Sequence, residues 1–185
     1  MEKNSVKYGV TAGLASVIYS LLLYFTNQVS NVGLGFVGFA IVLYFMWKAC
    51  QDDRTLQGGF ASFREMFSSA FLTFAVAAIF TIGFQYILLT VIDPELAEIQ
   101  AEQAMEQAIK IVEWAGIEEN SKEYEEALEN AEKNAMPSLK NSILGYLGAL
   151  VFGGLISLIF GGAMKKDKPP HIAAREDETE HLVGE

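Results

Sequence analysis

The sequence holds a single cysteine, Cys50, among its 185 residues, which excludes a disulfide within the chain. Its two histidines, His171 and His181, fall in a mixed-charge stretch after Pro169-Pro170, a composition that predicts a flexible tail rather than a metal site. Calcium-loop and Glu-x-x-His spacings are missing, so no metal and no cofactor is expected. A basic stripe able to grip a phosphate backbone is also missing, which removes nucleic acid from the expected partners. The most telling deficit is positional: none of the 13 lysines and arginines lies inside a long apolar run.

What is present explains that deficit. Half of the chain, 51%, is hydrophobic, and these residues are gathered into blocks instead of being spread along it. Four blocks, 8–25, 32–47, 67–92 and 143–164, approach or exceed the roughly 20 residues that a helix needs to cross a hydrocarbon layer of about 30 Å. The fold class expected is therefore all-α, a four-helix transmembrane bundle whose first partner is the lipid bilayer. The block Val32–Trp47 is the shortest. It would rise only about 24 Å at 1.5 Å per residue, so Lys48 must snorkel or the bilayer must thin. Lys3 and Lys7 before the first block resemble the start of a signal peptide. No small-x-small cleavage site follows Phe25, however, and a second apolar block begins almost at once, so the first block reads as a retained helix.

Positive charge orients the spans. With the N-terminus inside, the inner segments carry Lys3, Lys7, Lys48, Arg54, Arg64, Lys165, Lys166, Lys168 and Arg175, nine of the 13. That distribution predicts cytoplasmic termini, with segment 93–142 outside. Tyr8, Tyr24, Trp47 and Tyr146 sit near the expected interfaces.

Segment 93–142 holds 13 acidic residues against four lysines, a net of −9 in a chain whose total is −10. Asp93 followed by Pro94 and Glu95 is a helix start, and Gly116 offers a stop. Asn120, with Glu123 three residues on, suggests a second start, and Pro137 separates that helix from the fourth span. An acidic extramembrane helical hairpin follows. Between the second and third spans, Gly58-Gly59 breaks the chain. Phe60, Phe63 and Phe67 then predict a short amphipathic helix near 56–66 lying in the cytoplasmic interface. Residues 165–185 form the expected cytoplasmic tail.

The fourth span carries the clearest pattern. Gly145, Ala149, Gly153, Ser157 and Gly161 recur every four residues and make one face of small side chains. The first span has a shorter version at Gly9 and Gly13. In lipid such faces let backbones approach, either within the bundle or between chains as a homo-oligomer or a complex with another membrane protein. Gln85 is the notable polar group of the third span. It suits an interhelical hydrogen bond, or a place on a substrate path. Glu98, Glu102 and Glu106 share a helix face that reads as solvated, with weak cation binding as the alternative. Cys50 suits an ordinary interface position or acylation.

The Lys7-Tyr8-Gly9 opening, the Gly58-Gly59-Phe60-Ala61-Ser62-Phe63 stretch, Asp93-Pro94 after the third span and the glycine-rich fourth span are together similar to one family. Over about residues 1–165 the chain resembles the uncharacterised bacterial membrane family called domain of unknown function 4199. The resemblance implies a four-helix membrane protein and brings no catalytic residues with it. The residues favour a structural or accessory protein acting through helix packing and the acidic outer hairpin. A small oligomeric transporter or channel is the alternative. An enzyme is not expected, because no acid, base and nucleophile converge.

Overall fold

Capping side chains decide where most helices of this chain begin. The computed structural model describes residues 2–29, 31–119 and 121–169, which form six α-helices and one π-helical turn. Helix α1 spans Glu2–Phe25. Asn31 accepts from the Gly33 and Leu34 N–H groups to start α2, Val32–Leu56. Ser62 and Glu65 close a capping box at the start of α3, Phe63–Ile87, which continues as the π-turn Leu88–Ile92. Asp93 caps α4, Pro94–Trp114, with proline at its first position. Ser121 caps α5, Lys122–Ala135, and Ser138 caps α6, Leu139–Met164.

Four helical stretches are long and apolar enough to cross a membrane: Asn4–Phe25, Gly33–Leu56, Phe63–Ile92 and Leu139–Met164. They run alternately up and down. The start of α1, the end of α2, the start of α3 and the end of α6 meet at one end of the bundle, as contacts from Asn4 to Asp53 and from Arg54 to the Met164 carbonyl require. Helices α4 and α5 pack on each other at the other end.

Several boundaries depart from expectation. Helix α2 does not stop near Trp47 but continues through Lys48, Asp52, Asp53 and Arg54 to Leu56. Charge ended the apolar run without ending the helix, since Lys48 pairs with Asp52 one turn on at 3.2 Å and no breaker appears before Gly58. The expected shortfall in span length disappears with it. The separate helix near 56–66 is absent. Gly58 and Gly59 take φ of +73° and +89°, the chain turns, and the capping box assigns Phe63 and Phe67 to α3 itself. Ala61 instead pairs backbone to backbone with Lys166, with N···O distances of 2.9 and 2.8 Å. Helix α6 begins four residues before Ile143 because Ser138, just after Pro137, supplies its cap. The start expected at Asn120 lies outside the described residues, as do His171, His181 and the rest of 170–185.

Helix α3 is the centre. It packs along α1 on one side and α6 on the other, less on α2, while α2 and α6 meet only briefly. The small side chains mediate this. A Cβ on Gly9 would stand 2.6 Å from Val76 Cβ, and one on Gly13 would stand 2.6 Å from Phe80 Cβ. One on Gly153 would fall 2.1 Å from the Phe74 ring, and one on Gly161 2.8 Å from the Phe63 ring. Ser157 is buried, its hydroxyl donating to the Gly153 carbonyl, and Ala149 packs beside the core around Met46, Met66 and Phe74. The repeat is thus covered by α3 from Ala149 to Gly161, while a Cβ on Gly145 would meet no neighbouring group within 4 Å.

That contrast gives a test. Gly153→Ala should destabilise the bundle by about 1–3 kcal/mol through overpacking, whereas Gly145→Ala should stay within about 0.5 kcal/mol of the parent. Thermal unfolding in detergent, followed by circular dichroism, measures both. Equal melting temperatures for the two variants would contradict the packing described.

Candidate functional site

The chain leaves α3 through a π-turn and reverses. The Asp93 N–H donates to the Leu88 carbonyl at 2.8 Å, the Asp93 carboxylate accepts from the Leu96 N–H at 3.1 Å, and Tyr24 of α1 donates to the same carboxylate at 3.1 Å. These bonds aim α4 back over the end of the bundle. There Gln85 Nε2 donates to Gln100 Oε1 at 3.0 Å, and Ala97 is buried. The partner of Gln85 is therefore in α4 and not in another span.

Beneath α4 lies a cavity of about 600 Å³, walled by α1, α2 and α3. Ser16, Tyr19 and Ser20 come from α1, Gly35, Gly38, Phe39 and Val42 from α2, and Phe74, Ala78, Thr81, Ile82 and Gln85 from α3. Gln100, Gln103 and Gln107 recur at helical spacing in the roof. No aspartate, glutamate, lysine, arginine or histidine is among the lining residues. The surface is apolar below and amide-bearing above. Such a wall can solvate a neutral molecule and has no counter-ion to offer a charged one.

The opposite end is built differently. Asp53 is 0% exposed, accepts from Asn4 Nδ2 at 3.2 Å, and lies 3.4 Å from Ser5 Oγ. Ser5 Oγ is also 3.2 Å from Ser69 Oγ, and Thr73 donates to the Ser69 carbonyl at 2.8 Å. Beside this group Asp52 accepts from Tyr8 and pairs with Lys48. A buried carboxylate so placed joins α1, α2 and α3 through polar contacts. Sequence reading missed it, because Asp53 follows the apolar run and reads as a boundary residue. The signal was periodic: Met46, Ala49, Cys50 and Asp53 fall on one helical face, and all four are fully buried. Cys50 donates from its thiol to the Met66 carbonyl at 3.4 Å and has no exposed surface for acylation.

Along α4 the carboxylates of Glu98, Glu102, Glu106 and Glu113 are exposed, and α5 has no buried residue. Lys133 pairs with Glu129 one turn earlier and holds its carboxyl below the usual carboxylate range. Among the described residues no group of three or more histidine, cysteine or acidic side chains could hold a metal ion. At the end of α4, Trp114 is 90% exposed and Ile111 64% exposed, an apolar pair amid acidic neighbours.

A family model described as Protein of unknown function (DUF4199) matches residues 7–166. No curated protein and no solved structure matches the chain.

The buried carboxylate supplies a second test. Asp53→Ala removes the acceptor of the Asn4 amide and one of the groups facing the buried Ser5 hydroxyl, and should cost about 1–3 kcal/mol. Asp167→Ala, at an exposed carboxylate, should cost less than about 0.5 kcal/mol. Melting temperatures in detergent would read the difference, and a harmless Asp53→Ala would dismiss the polar junction.

Proposed function

The chain belongs to the DUF4199 family of proteins of unknown function, and from that premise and its architecture we propose an accessory protein of the bacterial inner membrane that acts by contact, not by bond-making. The four spans anchor the chain, and the α4–α5 hairpin serves as an acidic docking surface outside the membrane. The observation that carries this reading is Trp114, exposed beside Ile111 on a surface otherwise rich in carboxylates. Tryptophan is the side chain most enriched at binding hot spots, and an exposed apolar pair ringed by one sign of charge suits a partner with a basic rim and an apolar pocket.

Orientation rests on charge. Lys7, Lys48, Arg54, Arg64, Lys165, Lys166 and Lys168 gather toward the end where α1 begins and α6 finishes. The rule that lysine and arginine stay on the cytoplasmic side favours both termini inside and the hairpin outside. The cavity favours a second reading, an oligomeric carrier for a small solute, which flux measurements in liposomes would detect.

Two outcomes are expected. In spheroplasts an impermeant maleimide should label Lys122→Cys on the hairpin directly, and Asp167→Cys only after the membrane is opened; the reverse pattern would invert the topology. Affinity capture from native membranes in mild detergent should recover a partner whose yield falls at least tenfold with Trp114→Ala and Ile111→Ala together. An undiminished yield would sink the docking role.

A further inference from the structure

The cavity under α4 goes beyond the docking reading and stands independently of it. At about 600 Å³ it falls in the range of small-molecule sites. Its chemistry is selective. The floor is apolar, with Phe39 and Phe74, while half-buried Gln103 and exposed Gln107 present amides from the roof. In the α1 wall Ser16 is 5% exposed, and its hydroxyl has no hydrogen-bond partner among the described residues. A serine in a helix can satisfy itself on the carbonyl one turn back, so this buried, unpaired hydroxyl marks a polar spot in the wall that awaits a partner. The wall contains no charge, and an ion brought into it from water would lose hydration without gaining a counter-ion.

The position narrows the class further. The walls are helices long and apolar enough to cross a membrane, which gives an occupant access from the apolar phase. From α6 only Ala149 reaches the wall, so that helix closes the cavity least. We propose that the cavity binds a neutral lipid-like molecule, its hydroxyl- or carbonyl-bearing head under the α4 glutamines and its apolar body against Phe39 and Phe74. Ordinary phospholipids are excluded by their charged heads, and free polar solutes by the floor.

Photolabelling of the purified full chain in phosphatidylcholine nanodiscs tests this, with three diazirine probes of equal chain length: a diacylglycerol, a phosphatidic acid and a phosphatidylcholine. The diacylglycerol should label peptides covering 16–23 and 100–107, be displaced by unlabelled dioctanoylglycerol, and exceed both phospholipid probes at least tenfold. Ala104→Trp, which fills the cavity from the roof, should lower that labelling at least tenfold while size-exclusion profile and helical content stay unchanged. Ser20→Phe does the same from the α1 wall should the first variant fail to fold. Equal labelling by the three probes, or labelling indifferent to a folded cavity-filling variant, would overturn the proposal. The probe comparison on the unaltered chain decides even if neither variant folds.

Discussion

In lipid nothing squeezes helices together, because the surrounding tails are as apolar as any leucine; what remains is how closely two backbones can approach. This bundle depends on that approach at α3. Gly9 and Gly13 admit Val76 and Phe80 from one side, and Gly153 and Gly161 admit Phe74 and Phe63 on the other. Buried Ser69, Thr73 and Ala77 keep the central helix slim where its neighbours press on it. Since α6 makes its close contacts with α3, α2 and α6 meet only briefly, and α1, α2 and α3 leave between them a volume that becomes cavity instead of core.

The two ends of the bundle then differ in kind. At one, Asp53, Ser5 and Ser69 fill the junction of three helices with mutually bonded polar groups. At the other, the polar groups are neutral amides and hydroxyls around an open volume, and among the described residues the buried Ser16 hydroxyl has no partner. A satisfied polar network rigidifies, whereas an unsatisfied one invites a partner. The same residue types can serve either role, and geometry alone separates them.

Much of the architecture was legible beforehand. Length and hydropathy locate the four spans, Asp93-Pro94 marks the start of α4, and the four-residue repeat marks the packing face of α6. Three things were not legible. Charge was read as the end of α2, although Asp53 continues its buried face. Gly145 shares the repeat with Gly153, yet there the neighbouring Tyr146 reaches across to the Ala75 carbonyl at 3.4 Å, and a side chain of that size stands between the helices. The cavity itself was hidden, because its roof is formed only when α4 doubles back. Gln100 looks solvated until the bond from Gln85 brings the two helices together and sets Gln103 and Gln107 along the cavity rim.

A repeat of small residues has a weakness of its own. Because it recurs every turn, α6 slid along α3 by four residues would still offer small side chains to the same knobs, so the face that permits close contact does not by itself choose an axial position. The two backbone bonds between Ala61 and Lys166 remove that degeneracy. They clasp the far end of α6 to the turn before α3, converting a periodic sliding surface into one with a single indexed setting.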